Sequence, residues 1–158
     1  MVTVDGNRLI LLTDGPDRLE AITNLIGTAK TSVRLMYYIF AGDWSGRKVR
    51  DALLAAVQRG VSVSLLIDDF GSSGNPDNFF ASLRAAGATV CRFHPSWGRR
   101  YLLRNHQKLL LVDGESADGS VLIGGFNIED DYFKAADDGG WRDVGLIVAG
   151  PAAGRLLP

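Results

Sequence analysis

The sequence predicts an α/β fold, a mixed and mostly parallel sheet with helices on both faces. Three observations carry that expectation. Apolar runs of strand length alternate with segments of helical periodicity between residues 17 and 93. The connections between them are short, as parallel crossover units require. After residue 105 the pattern changes to two apolar runs, HQKLLLVD and SVLIGGFN, joined by the turn-rich GESADG, which reads as an antiparallel hairpin added to the parallel half. At 158 residues the chain has the length of one domain, taken as residues 1–158.

Each element follows from local chemistry. VTVDGNRLILL, residues 2–12, places a DGN turn between two apolar runs and reads as a small hairpin or a strand entry. Leu19, Ile22, Leu25, Ile26 and Ala29 recur at helical spacing, so residues 17–30 form the first helix. SVRLMYYIF, residues 32–40, is β-branched and aromatic and reads as a buried strand, closed by the loop AGDWSG. A helix over residues 47–59 puts Val49, Ala52, Leu53, Ala56 and Val57 on one face and ends at Gly60. VSVSLLID is the next strand, residues 61–68. Asn75 and Pro76 look like an N-cap and first turn, opening a helix through Phe79, Phe80, Leu83 and Ala86 that stops at Gly87. ATVCRF, residues 88–93, and RDVGLIVA, residues 142–149, supply further strands.

Composition narrows the class. A hydrophobic fraction of 46% and a charged fraction of 22% belong to a globular protein and not to a disordered one. No apolar run reaches the length of a membrane span and no basic-then-apolar leader follows Met1, so the chain reads as cytoplasmic or peripheral on the inner membrane. The lone Cys91 reads as a small buried apolar residue. No Gly-rich nucleotide loop follows any strand. The net charge of −1 is unevenly spread: residues 78–112 hold Arg84, Arg92, Arg99, Arg100, Arg104 and Lys108 and no acid, whereas residues 113–143 hold nine acids against Lys134 and Arg142. The basic span is either a solvated face or an anion-attracting mouth.

The chemistry concentrates where that span meets the hairpin. Pairing Asp113 with Ser120 across the loop sets His106 opposite Asn127 and Lys108 opposite Gly125. Residues two apart on a strand share a face, and opposed residues share it with Cβ atoms about 4.5–5.5 Å apart. An imidazole, an ammonium and a carboxamide then converge, with Gly124 and Gly125 leaving space for a small anion. Asp113 lies at an odd offset from His106 and falls on the opposite face, where a structural hydrogen bond at the turn suits it better than orienting the histidine. Asp68 and Asp69 end a parallel strand, where ligands approach α/β sheets but where capping acids are also common. Glu129, Asp130 and Asp131 read as a solvated turn or helix start. Tyr37, Tyr38 and Phe40 read as packing, His94 as a loop or packing residue, and Trp44, Trp97 and Trp141 as loop residues that either pack or meet substrate.

HQKLLLVD resembles the HxKxxxxD signature of the phospholipase D superfamily, and GGFN its downstream GGxN element. TAKTSVRLMYYIF, RGVSVSLLIDDFGS, RNHQKLLLVDG, IGGFNIEDDYF and WRDVGLIVAGPA are similar, in order, to the amino-terminal half of bacterial cardiolipin synthases. The resemblance implies a phospholipase D-like α/β/α sandwich. It implies a catalytic set of His106, Lys108, Asp113, Asn127 and Asp143, with Lys108, Gly125 and Asn127 binding the substrate phosphate. His106 would attack phosphorus to give a phosphohistidine or protonate the leaving alcohol, and Asp143 would hydrogen-bond its other ring nitrogen. Fixed donors and an ammonium meet the developing charge, so no metal and no cofactor are implied.

Two departures stand out. The interval from Asp113 to the glycine pair is longer than the family's usual one, and the surplus falls in GESADG. Relatives of this subgroup carry two HxKxxxxD motifs, one histidine from each serving one phosphoryl centre, whereas this chain has one motif before Pro158. The partner is then a second motif half in cis or a homodimer mate. The expected activity is phosphatidyl transfer from a phosphatidylglycerol-like phospholipid at a peripheral membrane surface. The alternatives are a homodimeric phosphodiesterase or nuclease, with nucleic acid as substrate only in that case, or an inactive fragment that binds phosphate or lipid head groups.

Overall fold

The computed structural model of the chain describes residues 1–75, 78–93 and 104–156; Pro76, His94, Trp97, Arg99 and Arg100, singled out above, lie outside them. Strands β1 (Val2–Val4) and β2 (Asn7–Leu12) form the expected hairpin about Asp5 and Gly6, both left-handed at φ 47° and 76°. Helix α1 (Gly15–Thr28) leads to β3 (Ser32–Tyr37), α2 (Trp44–Gln58) to β4 (Ser62–Asp68), and the short α3 (Ala81–Ala85) to β5 (Thr89–Phe93). Then come β6 (Leu109–Val112), β7 (Ser120–Gly124), the one-turn α4 (Asp130–Phe133) and β8 (Gly145–Ala149).

All eight strands join one sheet in the order β1-β2-β8-β7-β6-β3-β4-β5. The sheet is mixed, as expected, but the balance is the reverse of mostly parallel: only β3 with β4 and β4 with β5 run parallel, and the other neighbours are antiparallel. The two crossovers through α2 and α3 account for the parallel part. Strands β1 and β2 are joined by the two-residue turn 5–6, and β6 and β7 by the short loop 113–119, connections that return the chain antiparallel.

Helix α2 starts three residues earlier than periodicity implies, because Asp43 caps it by accepting a hydrogen bond from Gly46 N at 2.9 Å. Helix α3 starts later than Asn75. The Asn75 amide donates instead to the carbonyl of Phe40, and residues 78–80, just before the helix, are turn.

Core packing fills one face. Ile22 and Ile26 of α1, Val49, Leu53 and Ala56 of α2, Leu83 of α3 and Phe133 of α4 join a single cluster with Val33, Leu35, Val63, Leu65, Leu110, Leu122 and Ile147 of the sheet. Full burial of such a side chain is worth about 1.5–3 kcal/mol. All four α-helices of the described residues lie on this face. The expectation of helices on both faces is therefore met on one side only. The opposite face carries Leu109, Leu111, Val121 and Val148 with Ala153 of a closing 3-10 turn, beside a groove of about 640 Å³ lined by Met36, Leu66, Cys91 and Leu156. Cys91 is thus exposed and not buried, because β5 is an edge strand on an uncovered face.

Candidate active site

The ladder of β6 and β7 runs Leu109 to Ile123 through Val112 to Ser120, one residue out of step with the expected register. Asp113 turns out of the strand at φ 49°, so Val112 and not Asp113 is the last paired residue. His106 and Lys108 consequently stand ahead of β6, outside its ladder and next to the end of β3. Lys108 is 8% exposed, and its Nζ donates to the carbonyl of His106 at 2.7 Å and lies 3.1 Å from His106 Nδ1. An ammonium can only donate, so Nδ1 is the acceptor and the neutral ring carries its proton on Nε2. Tyr38 completes this corner. Its ring lies 4.5 Å from the exposed His106 ring, and Lys108 Nζ is 5.5 Å from its centroid. Tyr38 follows β3, where the sequence predicts packing; half-buried against the His106 ring, it belongs to the site.

Asn127 reaches the same corner after β7 ends. It is buried; its Oδ1 accepts from Ile39 N at 3.2 Å, and its Nδ2 donates to Tyr132 Oη at 3.2 Å while keeping a second N–H. Gly125 lies against Asp143: a Cβ at position 125 would stand 2.7 and 2.9 Å from the two carboxylate oxygens. Asp143 does not hydrogen-bond His106 in this arrangement, contrary to expectation. Its Oδ1 accepts from Val144 N at 2.6 Å, and Lys108 occupies the ring nitrogen.

Arg18, which sequence reading did not single out, fixes this wall from behind. Its side chain is 1% exposed, and its guanidinium donates to the carbonyls of Tyr132, Trp141 and Asp143, the Tyr132 bond from Nη2 measuring 2.6 Å. The signal was its position: residues 18, 22 and 26 form one helical stripe, and an arginine on a buried stripe needs acceptors. Tyr132 and Trp141 also meet edge to face at 4.9 Å.

Three acids set the neighbouring loops. Asp68, 1% exposed, accepts from Phe70 N and Gly71 N through Oδ1 and from Asn105 N at 2.9 Å through Oδ2, anchoring the residue before His106. Asp43 Oδ2 accepts from Asp130 N at 2.7 Å, and Asp130 Oδ1 accepts from Ser45 N at 2.8 Å, a reciprocal brace between α2 and α4. Asp69 pairs with Arg92 at 2.8 Å. Asp113 is not brought to the site. It stands at the far end of β6, where its carboxylate accepts from Lys30 N, Thr31 N, Thr31 Oγ1 and Ser32 N.

Electrostatics follow burial. Desolvation lowers the Lys108 pKa below the ordinary lysine value, and the charge of Asp143 opposes that shift. Desolvation likewise raises Tyr132, with Asp143 and Glu129 adding to it and the Asn127 hydrogen bond opposing, so Tyr132 keeps its proton as a donor. Glu129 is raised by desolvation and by Asp43, Asp131 and Asp130. The corner thus collects an imidazole, an ammonium, a free carboxamide N–H and a phenol beside a cleared glycine, a donor set suited to a phosphate ester.

Known proteins resemble the chain over nearly its whole length. Over 156 residues the chain is 38% identical to the major cardiolipin synthase ClsA of Bacillus subtilis (strain 168), covering 96% of this chain and 32% of the relative. It is 36% identical to cardiolipin synthase 1 of Staphylococcus epidermidis (strain ATCC 35984), covering 96% of this chain and 31% of that protein. The chain therefore spans about a third of the length of these curated relatives. Among solved structures, Nuc from Salmonella typhimurium, a phospholipase D family member, superposes with a TM-score of 0.69 at 21% identity, over 94% of this chain and 88% of that one. At that identity the likeness concerns the fold. Residues 22–149 match the family described as cardiolipin synthase, PLD-like domain, and the chain belongs to that family.

Proposed function

We propose that the chain supplies one half of a phosphatidyltransferase site of the cardiolipin synthase type, acting on phosphatidylglycerol at the inner membrane surface. The observation that carries the reading is the convergence of His106, Lys108, Asn127 and Gly125 beside Asp143 in a chain 38% identical to a cardiolipin synthase. In the first step an imidazole nitrogen attacks phosphorus, the bond from phosphorus to the glycerol head group breaks, and the glycerol oxygen takes a proton from a second histidine. In the next, a hydroxyl of another phosphatidylglycerol attacks the phosphohistidine, passes its proton to that second histidine, and releases His106 and cardiolipin.

The residues divide this work by their chemistry. Lys108 and the second N–H of Asn127 hold non-bridging oxygens, and Gly125 leaves the approach open. When a phosphate draws the Lys108 ammonium away, His106 Nδ1 is released, the ring proton shifts to it and frees Nε2 to attack, and Asp143 is the nearby carboxylate able to accept a hydrogen bond from Nδ1–H and steady the positive ring that forms. The second histidine comes from another motif half. To test the reading, the chain joined to a second-motif half is incubated with phosphatidylglycerol vesicles and products are read by mass spectrometry. Cardiolipin is expected, with none from His106→Ala; no cardiolipin from the intact pair refutes it.

A homodimeric phosphodiesterase is the second reading, supported by the exposure of His106 and by the length match to Nuc, 88% of which this chain covers. Sedimentation velocity separates the two, since a strict monomer without phosphodiester cleavage excludes the homodimer.

A further inference from the structure

Every aromatic side chain that is more than half exposed among the described residues lies on the edge of the sheet that holds the candidate site: Trp44 at 54%, Phe70 at 61% and Trp141 at 54%. Topology explains the grouping. Trp44 follows β3 and Phe70 follows β4 at their carboxyl ends, and Trp141 precedes β8, whose antiparallel partner β7 ends on that edge. Each is tied to the site by a direct chain of contacts. Trp141 packs on Tyr132, which holds Asn127. Phe70 N bonds to Asp68, which also holds Asn105 beside His106. Trp44 opens the helix that Asp43 and Asp130 brace to the loop after Asn127.

Two of the three rings carry a cation. Lys48 Nζ lies 4.8 Å from the Trp44 ring centroid, and the Arg104 guanidinium lies 4.5 Å from that of Phe70. A long basic side chain laid on an exposed ring presents an apolar body with a charged tip, the arrangement that suits the level of phospholipid head groups. Val144, 50% exposed, extends the apolar surface beside Trp141.

We infer that Trp44, Phe70 and Trp141 form a rim that inserts into a phospholipid bilayer surface and presents the corner of His106 and Lys108 to the head groups. The rim rests on the phospholipid reading of the site and adds its physical partner. Insertion fits better than capture of a polyanion such as nucleic acid. Among the described residues, Lys48, Arg104, Lys134 and Arg142 of this edge are interleaved with Asp43, Glu129, Asp131, Asp137 and Asp138, a mixed-sign surface and not a continuous basic track for a nucleic-acid backbone, whereas burial of exposed rings requires none.

The test measures co-sedimentation of the 158-residue chain with vesicles of phosphatidylglycerol and phosphatidylcholine, at low and high salt. Binding that persists at high salt is expected. Trp44→Ala with Phe70→Ala is expected to weaken it at least tenfold, on the order of two exposed rings losing their burial, with inorganic phosphate affinity at the site unchanged. Wild-type tryptophan emission is expected to be quenched by brominated phosphatidylcholine, a readout that needs no variant. Partition unchanged in the double variant, binding abolished by salt, absence of quenching, or single-stranded DNA binding lost in the same variant without vesicle binding would each overturn the rim. Vesicle partition that persists while no cardiolipin forms supports the rim and counts against the transferase reading alone.

Discussion

The guanidinium of Arg18 donates a hydrogen bond to the backbone carbonyl of Asp143, 125 positions away, and does so from a side chain 1% exposed. The same group holds Tyr132 and Trp141, so a single residue of α1 fixes the loop that carries one carboxylate and one phenol to the site. A planar fork with five donors suits several carbonyls at once, and the Phe126 ring 5.6 Å away covers its face.

Arg18→Lys is accordingly expected to cost about 3 kcal/mol, since an ammonium on a shorter stem leaves buried carbonyls without donors. Thermal melts read the stability loss. Phosphate titration below the melting range is expected to show about tenfold weaker binding, because Asp143 and Tyr132 lose their position. A variant that melts lower but binds phosphate like the wild type would confine Arg18 to stability.

Gly125→Ala tests the cleared space. The added methyl would stand 2.7 Å from an Asp143 carboxylate oxygen, inside any real Cβ contact, so the carboxylate or the backbone must shift. Phosphate affinity is expected to fall about tenfold. Stability is expected to change by less than about 1 kcal/mol, because Gly125 is exposed and outside β7. Equal affinity in the variant would show that Asp143 can move away without consequence.

The helix and strand core was legible because apolar periodicity encodes it directly: Ile22, Ile26, Leu53, Val33 and Leu65 are buried where spacing places them. Register was not, because one left-handed residue, Asp113, ends the ladder early and no periodicity announces that. The site still assembles, through irregular backbone after Gly124 and before Leu109, where strand pairing rules do not apply. The bare face had a signal: Arg34 in β3 and Ser62 and Ser64 in β4 alternate with the buried residues, as in strands covered on one side. Arg18 was hidden because a lone arginine in a helix normally reads as surface.

Asp113→Asn separates structure from catalysis for the acid of the sequence motif. Desolvation alone would raise its pKa, but hydrogen bonds from Ser32, Thr31 and Lys30 outweigh it and the net shift is below the ordinary 3.8. A depressed folded pKa contributes stability that is complete above the unfolded value and is lost as pH falls through the folded one. The variant is expected to be about 2 kcal/mol less stable at neutral pH, with the gap to wild type closing in acid, read by melts across pH. Phosphate affinity is expected to be unchanged, since Asp113 and His106 sit at opposite ends of β6; a large loss of affinity in folded protein would return Asp113 to the site.

Lys108 gives the alkaline counterpart, with binding and stability moving in opposite directions. Desolvation lowers its pKa below the ordinary 10.5, so the ammonium that holds phosphate is lost at lower pH than in an exposed lysine. Phosphate affinity is expected to decline along an alkaline limb centred below that value. Lys108→Arg should abolish the limb, because a guanidinium stays charged, and Asp143→Asn should move it lower still by removing the charge that favours the ammonium. Folded Lys108 holds its proton less tightly than the unfolded chain does, so its contribution to stability rises as pH increases between the folded and unfolded values. Phosphate titrations and thermal melts over the same pH series read both effects. A limb that survives in Lys108→Arg would assign it to another group.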